Sequence, residues 1–382
     1  MKNRTLDVRL APRHSLDAVV TGLTIGAIAG ALIFGRRRRR RVPPGMLTPI
    51  ELYQNIWART AEYFYDSHRL QGWTAWKHKF DGKIHSDGEA IDYANVMLAS
   101  LNDRYTYAMT PAAKQKDDEA SEDPLAVRAT RISDQVGYIK IATFSASDVV
   151  AQLESALLNL FKRDRITPVN APSDLAELDL PGGPEGLIID LRGNGGGWIY
   201  EAVTAASLFV REGPIVTLDA RIAGGVLEVE QIELERKRIL STFRLEETGA
   251  MRVDERERKP CIAWGKRLAI LVDGETASAA ELFAAALKHN TGARIFGCRT
   301  RGKGIGQQLL SIGEQAWLNV THLNYYTPAG VWFGDGGQLV SNGIVPDQIV
   351  AGSTGGDAAA DDDGLLIAAL LWLMKGLSAR RL

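Results

Sequence analysis

The chain has 382 residues, enough for two domains or one elaborated core, and its 45% hydrophobic and 24% charged content describes an ordinary globular protein. Its net charge is −1, but residues 1–44 hold ten basic against two acidic side chains, so the remainder carries −9; a net-acidic body argues against nucleic acid as the main partner. The two cysteines, Cys261 and Cys298, and the six histidines fall in no disulfide, redox or metal-ligand spacing, so no metal or cofactor is implied.

Residues 18–35 are uncharged and mostly apolar. A helix of that length spans about 27 Å, enough to cross a hydrocarbon core. Gly22, Gly26 and Gly30 would line one face of it. The expectation is an N-terminal transmembrane helix. The alternative is a signal peptide, with Ala27-Ile28-Ala29 as a small-residue cleavage site. Six arginines, Arg36 to Arg41, follow at once and suit a membrane surface. By the positive-inside rule they would keep the C-terminal body in the cytoplasm.

Val42-Pro43-Pro44-Gly45 is a break, so residues 1–44 read as an anchor with a polybasic flank. From Thr48, apolar residues at Ile50, Tyr53, Ile56 and Trp57 share a helical face, and a second helical stretch covers residues 87–101. Trp57, Trp73 and Trp76 read as core aromatics. Residues 112–123 are acidic, polar and aperiodic, which predicts a loop. Residues 45–125 thus form a helical lead-in with an acidic loop, and 126–382 the main body. Strands are expected at 127–132 and 136–141, and an amphipathic helix at 147–161. Residues 167–184, rich in Pro, Gly and Asp, read as an inserted surface loop.

Leu187 to Leu191 is a buried strand running into Gly193-Asn194-Gly195-Gly196-Gly197. A dinucleotide fingerprint fails there, because the third glycine should stand where Trp198 does. The loop is better read as backbone donors for an oxyanion. Residues 228–259 are densely charged with spaced apolar residues, which predicts a helix or helical hairpin standing off the core, placed to cover the site or mediate self-association. Residues 365–377 predict a short apolar helix, too short to span a membrane. Alternating strands and helices make the body α/β.

Leu268 to Val272 is another buried strand. It leads through Asp273-Gly274 into Thr276-Ala277-Ser278-Ala279-Ala280-Glu281 and an Ala/Leu-rich helix. Ser278 therefore sits at a strand-to-helix turn among unpaired backbone N–H groups. With Glu281 it also forms S-x-x-E, an ordinary capping box. Downstream, Ile295-Phe296 ends a strand before a glycine-rich loop carrying Lys303. A serine so exposed and a lysine so placed can make a Ser–Lys dyad. The lysine accepts the serine proton only when neutral, which needs burial that lowers its pKa. The N–H of Ala279, with that of Gly196 or Gly197, would complete an oxyanion hole.

These residues carry a resemblance. Thr276 to Glu281, then Gly297-x-x-Thr300-x-Gly302-Lys303-Gly304-x-x-Gln307, resemble the C-terminal processing, or tail-specific, family of serine endopeptidases. So do Asp190-Leu191-Arg192-Gly193-Asn194-Gly195-Gly196-Gly197, the lead-in Met97 to Thr106, Tyr325 to Gly330, and Gly343-Ile344-Val345-Pro346-Asp347. The resemblance implies Ser278 as nucleophile, Lys303 as general base and Gln307 as the residue that orients the lysine. It implies a crotonase-like spiral of ββα units, a protein or peptide substrate, and a location mostly outside the cytoplasm. Many relatives carry a PDZ domain of about ninety residues after the lead-in. Only about twenty residues separate Tyr107 from Val127 here, so that domain is absent. The alternative function is a catalytically silent peptide- or lipid-binding module on the same fold.

Overall fold

The computed structural model describes residues 46–121, 125–161, 183–334, 342–349 and 364–379. The expected membrane helix at 18–35 and all but the last two residues of the expected loop at 167–184 lie outside the described residues.

Helix α1 (Pro49–Tyr63) starts at a capping box: Thr48 N–H donates to Glu51 Oε2 at 2.7 Å, and Glu51 N–H to Thr48 Oγ1 at 3.3 Å. Helix α2 (Asp87–Ala99) is capped by Ser86. The two bury Leu52, Tyr53, Ile56, Met97 and Leu98 in one cluster with Trp73, while Trp57 and Trp76 pack at its edge. Strand β1 (Tyr107–Met109) follows.

Helix α3 (Pro111–Ser121) replaces the expected loop at 112–123. Ala112, Ala113, Lys114 and Gln115 favour helix, Pro111 suits a first turn, and Thr110 Oγ1 accepts the Ala113 N–H at 3.2 Å. Residues 111–117 of the helix lie at the surface, so no apolar stripe there betrays it in the sequence.

Strands β2 (Val127–Arg131) and β3 (Val136–Ile141) form an antiparallel hairpin. Helix α4 (Val149–Phe161), strand β4 (Gly186–Asp190) and helix α5 (Ile199–Ala206) come next. Strand β5 (Gly213–Arg221) leads to β6 (Leu227–Leu234), β7 (Arg238–Leu245) and β8 (Met251–Glu257). These last three correct the expected helical excursion at 228–259, which is an antiparallel meander. The inward residues alternate: Glu230, Ile232 and Leu234 on β6, Ile239, Ser241 and Phe243 on β7. That is a period of two, obscured because the inward row includes the charged Glu230, the outward rows mix apolar and charged residues, and the edge strand β8 is exposed throughout.

Strand β9 (Arg267–Val272), helix α6 (Ala279–Thr291), β10 (Arg294–Gly297), β11 (Ile305–Ile312), β12 (Ala316–Tyr326), β13 (Gln348–Ile349) and helix α7 (Gly364–Ala379) complete the described chain. One sheet runs β13-β10-β9-β4-β3-β2, parallel except for the β2–β3 edge. Ile139, Ile189, Ile270 and Ile295 face α4, α5 and α6, while Val136, Ile188, Leu271 and Phe296 face Leu365, Ala369 and Leu373 of α7. Burial on both faces is why β4 and β9 read as unbroken apolar runs. The other sheet runs β1-β12-β5-β6-β7-β8, with β11 on β12, and is antiparallel. The pairing of β1 with β12 joins the lead-in to the body.

Candidate active site

The site forms where β4 and β9 end side by side. Asp190, at the end of β4, is buried and accepts from Tyr138 OH at 2.7 Å, Lys140 Nζ at 3.2 Å and Arg192 Nη2 at 2.6 Å. Burial alone would raise its pKa, but Arg192 and Lys140 hold the carboxyl below its ordinary value. This network fixes the exit into the glycine loop. Asp273, at the end of β9, accepts the N–H groups of Gly193, Glu275 and Thr276 at 2.9–3.1 Å. Ala277 N–H donates to Asn194 O at 2.9 Å, so the two loops are bonded together.

Ser278 is the N-cap of α6 and is only 8% exposed. Its φ of +57° with ψ of −125° lies outside the regions favoured by a residue with a Cβ, at a cost of about 1–3 kcal/mol. The neighbouring loop accommodates it: Gly196, at φ +103°, lies flat against the serine. A Cβ on Gly196 would stand 2.7 Å from Ser278 Cβ and 3.0 Å from Ala279 N. Gly196 donates its own N–H to Asn194 Oδ1 at 2.9 Å, and Gly197 bridges to Phe144.

Lys303 arrives on the loop between β10 and β11 and is half-buried. Its N–H donates to Glu281 Oε2 at 2.9 Å, and Tyr325 OH donates to its carbonyl. Its Nζ lies 4.9 Å from the ring centroid of Tyr105. Gln307 follows a register shift in β11, and its Nε2 donates to Thr321 Oγ1 at 3.2 Å. Beside this strand a cleft of about 540 Å³ opens, lined by Phe64, Tyr65, Asp103, Ile305, Thr321 and Trp332 among others.

Glu281 ties the serine segment to the lysine segment. Its carboxylate is fully buried and accepts from Ser278 N–H at 2.8 Å, Gly302 N–H at 2.7 Å, Lys303 N–H and Thr300 Oγ1. Burial pushes its pKa up, and the four donors oppose that. The sequence offers Glu281 only as a capping residue. Tyr105 gave no chemical signal either, since it reads as part of the helical lead-in. Thr300 stood in the motif with no role attached.

Residues 135–350, more than half of the chain, match peptidase family S41. The chain belongs to that family. It is 26% identical over 239 residues to a carboxy-terminal-processing protease of Bartonella bacilliformis, covering 62% of this chain and 44% of that protein. It is 25% identical over 267 residues to a probable CtpA-like serine protease of Staphylococcus epidermidis, covering 69% and 44%. This S41 chain thus spans less than half the length of those relatives. Its fold is similar to that of a lipoprotein from Streptococcus agalactiae, with a TM-score of 0.58 at 15% identity, covering 86% of this chain and 97% of the other. It is also similar to that of the photosystem II D1 C-terminal processing protease, with a TM-score of 0.54 at 18% identity, covering 80% and 94%.

Proposed function

We propose that the chain is a serine endopeptidase acting through Ser278 and Lys303. The observation that supports this most is one buried oxygen, Glu281 Oε2, which accepts the backbone N–H of both residues. Ser278 Oγ attacks the scissile carbonyl, and Lys303 takes the serine proton and returns it to the leaving amine. Water then hydrolyses the acyl-enzyme with the lysine acting again as base. The N–H of Ala279 and that of Gly197 hold the oxyanion, the Gly196 N–H being engaged by Asn194 Oδ1. Gln307, whose Nε2 donates to Thr321 Oγ1 at 3.2 Å, is assigned the role of orienting Lys303.

The relatives' names speak of carboxy-terminal processing, and we extend to this chain a protein or peptide substrate bound in extended form. The alternation of strands and helices around the parallel sheet is read as a crotonase-like spiral, and residues 18–35 as the segment that tethers the enzyme to a membrane. Fractionation of the full chain against one lacking residues 1–44 tests the tether; equal recovery of both in the soluble fraction removes it.

The test of the reaction is digestion of an unfolded model protein, alongside labelling by a serine-directed fluorophosphonate. Ser278→Ala is expected to abolish both. Lys303→Ala is expected to reduce cleavage nearly as far, because the members of such a unit act together. A wild-type chain that neither labels nor cleaves would favour the silent binding module instead.

A further inference from the structure

We propose that Glu281 is a positioning residue that sets the separation of nucleophile and base; the proposal rests on the peptidase reading above. The geometry goes beyond what a helix cap needs. A capping box uses one contact, from the Glu281 carboxylate to the Ser278 N–H. Three further donors reach the same carboxylate from a loop some twenty residues on: Thr300 Oγ1, Gly302 N–H at 2.7 Å and Lys303 N–H at 2.9 Å.

Two of the four donors share Oε2, the Ser278 N–H at 2.8 Å being the second. Nitrogens that converge on one oxygen at hydrogen-bond distance stand within about 6 Å of each other. The backbones that carry Ser278 and Lys303 are therefore clamped through a single atom. The other two donors share Oε1, so the acceptor capacity of the carboxylate is filled on both sides. That full complement is what makes a carboxylate tolerable at a fully buried position. Arg301 adds a second tie, to the approach to α6, its N–H donating to Thr276 O at 3.0 Å and its guanidinium pairing with Glu275.

Two substitutions separate positioning from packing. Glu281→Gln keeps the length, but whichever side its amide nitrogen takes, two donors there lose their acceptor. Glu281→Asp keeps the charge but is one methylene too short to reach both segments. Displacement of a reacting group by about 1 Å can cost on the order of 10²-fold in rate. Both variants are therefore expected to lose about 10²-fold in kcat and in fluorophosphonate labelling rate, with KM changed less than about threefold, per mole of folded enzyme. Folded enzyme is counted by the amplitude of the thermal transition.

A merely structural role predicts a lowered Tm and a normal kcat in the molecules that remain folded, and that result overturns the proposal. If neither variant folds, Thr300→Val removes one donor and leaves the carboxylate in place. Its kcat is expected to fall about tenfold at constant KM, and an unchanged kcat overturns the proposal. The underlying reading fails separately: a wild-type chain that does not label or cleave, and matches Ser278→Ala, removes the reaction itself. Wild-type labelling with an equally fast Glu281→Gln removes only the positioning role.

Discussion

Gly196 lies against Ser278 so closely that a Cβ on the glycine would stand 2.7 Å from the serine Cβ and 2.8 Å from Ala277 O. Both residues have a positive φ, +103° and +57°. The absence of a side chain at 196 is what lets the serine adopt this turn. Gly196→Ala is therefore expected to displace Ser278 and cut kcat/KM by about 10²-fold or more. Steady-state kinetics decide it, with folding checked by circular dichroism; activity within about threefold of wild type would mean that the contact is slack.

The meander β6–β8 is part of the core and not a detachable cover. Ile232, Leu234 and Ile239 are at most 2% exposed and join the main cluster. Removing residues 228–259 is expected to prevent folding. Ile232→Ala is expected to cost about 2–4 kcal/mol by the cavity it leaves. Urea denaturation reads this as a lower midpoint at constant slope, and an unchanged midpoint would return the meander to the status of an appendage.

The meander also touches the site's surroundings. Tyr200 OH, on the first turn of α5 beyond the glycine loop, donates to Glu230 Oε2 at 2.8 Å. Tyr200→Phe removes that bond alone. The expected result is a change in the ranking of peptide substrates by kcat/KM, with each single value moving about two- to tenfold. Identical ranking across a peptide panel would show that the tie is structural only.

Between β1 and β2 the chain places α3 and short connections. No grip on a free C-terminus is expected there. Amidating the C-terminus of a peptide substrate should change kcat/KM by less than about tenfold, or 1.4 kcal/mol. A larger loss would mean that the carboxylate is recognised elsewhere in the protein.

His322, on β12, is held neutral by burial, with its pKa lowered to about 4 and a backbone hydrogen bond with Arg221 working against that shift. Its Nδ1 is buried with no partner among the described residues. A depressed folded pKa means that the unfolded chain takes up the proton first. The contribution of His322 to stability is therefore complete above the ordinary histidine value and lost as pH falls from about 6.5 to about 4. The loss is on the order of 3 kcal/mol. His322→Gln should flatten Tm against pH across that window, and parallel curves for variant and wild type would contradict the assignment.

Much was legible without the fold. Strands β4 and β9 are buried on both faces, so their apolar runs announced them, and Ser278 and Lys303 stood in motifs whose residue types the chemistry needs. Capping at Thr48 and Ser86 is local, and local signals survive in a sequence. The rest depended on contacts between distant segments. Residues 111–117 of α3 bury no stripe, and β8 is exposed throughout, so neither shows a period. Glu281 is an ordinary cap residue until the loop carrying Lys303 folds back onto it. Tyr105 meets Lys303 across nearly two hundred residues of chain. The residue types and short segments are set locally; only tertiary structure brings the other three donors onto the buried carboxylate, because the spacing of 278 and 281 implies the cap contact alone and nothing in it calls for residues 300, 302 and 303.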